Sequence, residues 1–229
     1  MAALMLCIET STEICSVCLS REEEVLGPLE FNGFRHSSML IPMILELLDN
    51  HSLKMSDLDG VALSRGPGSY TGLRVGASTA RGISFSRDIP LVTINTLEAL
   101  AYQTSDQHRH LKWDYILPML DARRNEVYTA EFDRALNIRK ATASIVIDQK
   151  FQNDLNPSAE YLICGNGAEK VKTLLPNLKN VNCIPVECSS IGLAKLAQKY
   201  FEEEKFEALD HFEPLYLKPP NITIAQKPL

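Results

Sequence analysis

Short apolar segments separated by polar turns open the chain and predict β-structure. Three of them, at residues 4–9, 14–20 and 24–31, have a spacing typical of an antiparallel meander. Apolar residues then recur at helical spacing over residues 36–50. The pattern continues with a strand at 60–64, a Gly-rich loop, a helix ending near residue 86, a strand at 90–94 and a helix capped by Asn95 with Glu98. The predicted order for this half is βββαβαβα.

The second half of the chain partly repeats this order after a polar stretch. Strands are predicted near 115–120, 126–132, 144–147 and 161–164, with helices after the fourth strand and after Ser190. The two hairpin-plus-helix halves predict an α/β protein with two similar lobes of βββαβα order. We place the lobes at residues 1–104 and 105–229, with a loose tail at about 219–229.

Composition narrows the class of protein. The chain has 229 residues, 45% of them hydrophobic and 23% charged, which is enough apolar material for a sizeable core. The net charge of −6 disfavours a wide contact with a phosphate backbone, although a local basic patch stays open. The six cysteines lie mostly in strand-like runs and are interpreted as reduced core residues. Without a leader or a run of about 18 apolar residues, we expect a cytoplasmic protein without membrane contact.

The segment from Gly66 to Gly76 is the most distinctive motif. It lies between a predicted buried strand and a helix, where backbone amides could receive an anion. The segment lacks the Lys of a Walker loop, and its GxGxxxG spacing departs from the dinucleotide fingerprint. Phosphate binding and a tight structural turn are therefore both compatible with it.

Two predicted helices carry surface that suggests a partner. Small residues recur every fourth position along the second helix, and the apolar arc of the helix at 36–50 spans roughly 200°, more than one core contact needs. Packing within the same chain explains the small residues equally well. We expect Arg at Ala80 to block association and to leave the fold intact. The predicted interface residues are His36, Leu40, Met43, Ile44, Leu47, Gly72, Leu73, Gly76, Ala80 and Ser84.

Catalytic groupings are scarce. None of the five histidines pairs with another at a helical spacing that could hold a metal. No Gly-x-Ser-x-Gly elbow presents a nucleophile, although Gly66-x-Gly68-Ser69 comes near one. We therefore predict neither a catalytic residue nor a metal site.

Five stretches together resemble the TsaB (YeaZ) family, noncatalytic partners in bacterial synthesis of the threonylcarbamoyl modification on a tRNA adenosine. They are residues 7–12, 36–43, 66–74, 117–128 and 213–218, so the resemblance covers nearly the whole chain. It implies an actin-like ATPase fold of two ribonuclease H-like lobes. It also implies pairing with a TsaD protein, joined by the ATPase TsaE, with tRNA bound only through the complex. The isolated chain is expected to be a monomer or a homodimer.

The resemblance also locates a vestigial nucleotide site. Its residues would be Thr10, Ser11 and Thr12 in the first hairpin and Gly165 and Gly167 in the second lobe. Neither hairpin turn has the glycine that lets a backbone approach phosphate, so we predict no cofactor, with ATP or ADP bound only weakly or at a partner interface.

TsaD proteins carry a His-x-x-x-His metal pair where this chain has Thr96 and Leu100. A hydroxyl and an isobutyl group cannot replace two imidazole ligands, so we predict a subunit without enzymatic activity. Two alternatives remain: an autonomous nucleotide-binding enzyme of the actin fold, and a glycoprotease-like metallopeptidase of the M22 type.

Overall fold

The computed structural model describes residues 3–33 and 35–219, which form two lobes of ten strands and six α-helices in all. The first lobe contains β1 (Met5–Glu9), β2 (Ile14–Arg21), β3 (Glu24–Asn32), α1 (His36–Asn50), β4 (Gly60–Gly66), α2 (Tyr70–Arg87), β5 (Leu91–Asn95) and α3 (Thr96–Gln107). The second contains β6 (Tyr115–Asp121), β7 (Glu126–Asp133), β8 (Ile138–Val146), α4 (Gln149–Asp154), β9 (Tyr161–Cys164), α5 (Ala168–Leu174), β10 (Val181–Ile184) and α6 (Ile191–Glu202).

The two sheets have the same topology. The first has the strand order β3-β2-β1-β4-β5, and the second has the corresponding order β8-β7-β6-β9-β10. In each lobe the first three strands are antiparallel, and the fourth and fifth join in parallel. The predicted duplication is therefore confirmed.

The second lobe also contains elements that the sequence pattern did not predict. Strand β8 begins at Ile138, six residues before the predicted start, and α4 and β10 were not expected at all. Strand β8 is a largely exposed edge strand, so it lacks the alternating apolar face that marks a half-buried strand. Helix α4 has six residues and β10 has four, too few to show a clear period.

The last helix of each lobe packs on the sheet of the other lobe. Leu193 and Ala197 of α6 share an apolar cluster with Cys7 and Val92 of the first sheet. Leu97 and Leu100 of α3, with Ala101, pack against Ile116, Leu120 and other residues of the second sheet. Helix α3 also crosses the predicted lobe boundary at residues 104 and 105. The boundary itself stays a prediction, but the two cores are built from both halves of the chain.

Five of the six cysteines are buried and all six are free thiols. Burial raises the pKa of Cys15 to about 11 and that of Cys164 to about 12, so these thiols stay protonated at neutral pH. No helix in the described part of the chain has the length and apolar character to span a membrane. The predicted loose tail lies outside the described residues, apart from Pro219.

Candidate functional site

The end of β1 brings the predicted nucleotide residues of the first lobe together, but it buries them. Thr10, Ser11 and Thr12 are all buried. The Glu9 carboxylate accepts a hydrogen bond from Ser11 N at 2.6 Å. Burial raises the pKa of Glu9, and the hydrogen bonds from Ser11 only partly offset that effect.

The glycine loop packs directly on this hairpin. Ser69 N donates to the Ser11 carbonyl at 2.6 Å, and a Cβ at Gly68 would lie 2.3 Å from that same oxygen. Ser69 also caps α2 by accepting a hydrogen bond from Gly72 N at 3.3 Å. Of the two interpretations of this motif, the geometry favours the tight structural turn, in which glycine permits two backbones to touch.

The second-lobe glycines make the same kind of contact. Gly167 N donates to the Met119 carbonyl at 2.9 Å, and a Cβ at Gly165 would lie 2.3 Å from that oxygen. Because Gly165 and Gly167 follow β9 and precede α5, they match Gly66 and Gly68 in the internal repeat. These two glycines allow close packing on β6, and their assignment to a vestigial nucleotide site stays a prediction.

The predicted interface residues are also buried inside the chain. Leu40, Met43, Ile44 and Leu47 fill the core between α1 and the first sheet, and His36 and Leu73 are buried as well. On α2, a Cβ at Gly76 would lie 2.3 Å from Thr10 Oγ1, so the small residues serve contacts within the chain. The prediction that these residues contact a partner directly is wrong, because they are buried inside the chain. This correction applies to His36, Leu40, Met43, Ile44, Leu47, Gly72, Leu73, Gly76, Ala80 and Ser84. Because Ala80 is fully buried, Ala80→Arg would destabilise the fold and would not leave it intact as was expected from the sequence.

Other apolar residues of the same two helices are exposed. The exposed fractions are 44% for Ile41, 54% for Leu45 and 79% for Phe85. Ile41 and Leu45 lie one helical turn apart on α1, on the part of its wide apolar arc that stays exposed. Sequence reasoning missed Phe85, although it lies at helical spacing from Arg81 and Ser78 on α2. We call these three residues the apolar helix face.

Thr96 and Leu100, the positions that the resemblance matches to metal histidines, face the interior. Thr96 Oγ1 lies 2.7 Å from Ser64 Oγ in a hydrogen bond. Leu100 is buried in the core of the second lobe. Neither side chain offers a nitrogen ligand to a metal.

A C-terminal strap, residues 206–219, runs back across the first lobe. Phe206 forms a β-bridge with Val92 at the edge of the first sheet, and Leu215 N donates to the Arg65 carbonyl at 2.7 Å. Phe212 inserts into the core of the first lobe, and Lys218 pairs with Glu126 of the second. Residues 213–218, which carried part of the family resemblance, thus join the two lobes.

Comparison with known proteins identifies the family. The family model described as "TsaD: tRNA N6-adenosine threonylcarbamoyltransferase" matches residues 31–225. A Haemophilus influenzae protein named "tRNA threonylcarbamoyladenosine biosynthesis protein TsaB" is 38% identical over 57% of this chain and 54% of its own length. The Escherichia coli protein of the same name is 27% identical over 93% of this chain and 94% of its own. The chain belongs to the TsaB (YeaZ) family.

Solved structures agree with the TsaB family and with its expected fold. YeaZ from Pseudomonas aeruginosa is 25% identical and matches with a TM-score of 0.79 over 94% of this chain and 100% of its own. The activator of 2-hydroxyisocaproyl-CoA dehydratase from Clostridium difficile, with bound ADPNP, shares only the fold: its TM-score is 0.53 at 9% identity, over 88% of this chain and 97% of its own. With the duplicated sheets, these matches confirm the predicted actin-like α/β fold.

Proposed function

We propose that this chain is a noncatalytic subunit that pairs with a TsaD-type transferase in the synthesis of threonylcarbamoyladenosine on tRNA. The names of its TsaB relatives support a place in that synthesis. The observation that carries the pairing is the apolar helix face, because exposed apolar groups on neighbouring helices are typical of a protein interface.

The difference between the lobes supports the same assignment. Helices α1 and α2 have 15 and 18 residues, whereas their counterparts α4 and α5 have 6 and 7. Among the described residues, the first lobe therefore presents two long helices side by side and the corresponding pair of the second lobe is short. Such a pair can pack against two helices of a partner in a bundle.

The buried environment of Thr96 and Leu100 supports a noncatalytic role. A metal at this position would need different side chains and an opening in the core. The packing of the glycine loop on the first hairpin likewise supports weak nucleotide binding by the isolated chain. A TsaE-type ATPase would join the complex, and tRNA would bind to the assembly.

Co-expression with the TsaD-type protein of the same organism tests the pairing. We expect the two chains to elute together from a sizing column. We also expect digested tRNA from cells depleted of this chain to contain less threonylcarbamoyladenosine. Separate elution together with unchanged tRNA would contradict the proposal.

The isolated chain provides the test against an autonomous enzyme. We expect no carbamoyl transfer, no peptide cleavage, and an ATP dissociation constant no tighter than about 1 mM by calorimetry. Micromolar ATP binding would favour the nucleotide-binding enzyme. Activity that follows bound zinc or iron would favour the metallopeptidase.

A further inference from the structure

A groove of about 620 Å³ lies between α2 and the C-terminal strap. Its polar lining contains three cations and a single carboxylate: Arg74, Arg81, Lys218 and Glu213. The rings of Tyr70 and Tyr216 also line it. This excess of positive charge is notable in a chain whose net charge is −6.

The two arginines have no anionic partner among the described residues. Neither Arg74 nor Arg81 forms an ion pair with any residue in the ranges 3–33 and 35–219. Lys218, in contrast, pairs with Glu126. Glu213 is exposed and is the one carboxylate among the groove's lining residues. The groove therefore keeps a net positive charge, with two guanidinium groups outside any ion pair of the described residues.

Aromatic contacts hold one of these groups in position. The Arg74 guanidinium lies over the Tyr70 ring, 4.2 Å from its centroid, and Nε donates to the Tyr216 hydroxyl at 3.4 Å. The Tyr70 and Tyr216 rings are themselves 4.8 Å apart between centroids. This arrangement restricts the Arg74 side chain before a ligand arrives, which lowers the entropy cost of binding.

We propose that this groove binds the phosphate backbone of RNA. Basic grooves that also present aromatic rings are typical of surfaces that bind exposed RNA strands, because the cations pair with phosphates and the rings stack on bases. An acidic peptide would use the cations but not the rings. The identity of the RNA as tRNA rests on the proposed function. The groove is lined by different residues from the apolar helix face, although Phe85 continues the stripe of α2 that carries Ser78 and Arg81.

Binding of a labelled tRNA transcript, followed by fluorescence polarisation, tests this inference on the isolated full chain and on its complex with the TsaD-type protein. We expect the double variant Arg74→Gln with Arg81→Gln to bind RNA about tenfold more weakly. The slope of the logarithm of the association constant against the logarithm of the salt concentration should become shallower by about 1.4, because two phosphate contacts on a single strand are lost. Arg87→Gln, the same change on α2 outside the groove, should leave the affinity within about twofold. Glu213→Gln should strengthen binding, because it removes the opposing charge.

Arg81→Gln alone provides a second variant if the double change unfolds the protein, and it should weaken binding by about threefold. Unchanged RNA affinity of the folded double variant, an equal loss with Arg87→Gln, or no RNA binding by either the chain or the complex would overturn the inference. Displacement of RNA by free ATP would assign the groove to nucleotides instead. If the double variant keeps its RNA affinity but no longer associates with the TsaD-type protein, the groove is a protein contact instead. Neither of the last two results would contradict the proposed function.

Discussion

At the scale of single residues, Glu9 is a buried carboxyl group whose surroundings raise its pKa. It is buried, and among the described residues no cation pairs with it, so its pKa is raised in the folded state. The folded protein therefore loses stability as the pH rises from the unfolded-state pKa through the folded-state pKa. Glu9→Gln keeps the acceptor for Ser11 N but cannot ionise. Its stability relative to the wild type should rise across that interval, by about 1.4 kcal/mol for each unit between the two pKa values.

Urea unfolding between about pH 4 and about pH 8 measures this difference. Glu24→Gln, the same substitution at an exposed residue, is the matched control. If the difference in free energy of unfolding between Glu9→Gln and the wild type does not change with pH, Glu9 is not responsible for the pH dependence of stability.

At the scale of elements, two of the three glycines of α2 have opposite surroundings. A Cβ at Gly72 would lie 2.1 Å from the Thr10 carbonyl, a backbone atom that cannot easily move, whereas a Cβ at Gly82 would meet nothing within 4 Å. We expect Gly72→Ala to destabilise the protein by about 2 kcal/mol or more. Gly82→Ala should stabilise it by about 0.5–1 kcal/mol through helix propensity. Equal shifts in the urea midpoint would refute the packing role of the small residues.

Helix α1 offers a similar comparison between neighbours. Ile44 is fully buried and Leu45 is 54% exposed. Ile44→Asp should lower the free energy of unfolding by several kcal/mol, because it buries an unpaired charge. Leu45→Asp should leave the melting temperature nearly unchanged and abolish elution with the TsaD-type protein. If Leu45→Asp still pairs normally, the apolar helix face is not the interface.

At the scale of the whole molecule, the exchange of α3 and α6 between the lobes predicts one cooperative unfolding unit. Leu193 of α6 packs on the first sheet, and Trp113, the single tryptophan, is buried in the core of the second lobe. Leu193→Ala should destabilise the protein by about 2–5 kcal/mol. The Trp113 fluorescence transition should shift together with the circular dichroism transition. An unshifted fluorescence transition would mean that the lobes unfold independently.

Most of the fold follows from local patterns. Apolar runs of the length of a strand located nine of the ten strands, although β8 starts six residues before its predicted position. Asn95 was correctly assigned as a cap, since its side chain accepts from Leu97 N. These signals are readable because they depend on residues within about one turn or one strand of each other. Helix α4 and strand β10 gave no such signal.

The sequence by itself determined the order of elements in the first lobe, the duplication, and the width of the apolar arc on α1. It could not determine which side of that arc packs on the sheet, because periodicity shows which residues lie on the same side of a helix but not what that side contacts. Tertiary structure alone decided that Gly72 packs on Thr10, that each lobe's last helix covers the other sheet, and that Arg74 and Tyr216, 142 residues apart, line one groove. Each depends on contacts between segments far apart in the chain, and such contacts leave no period in the sequence.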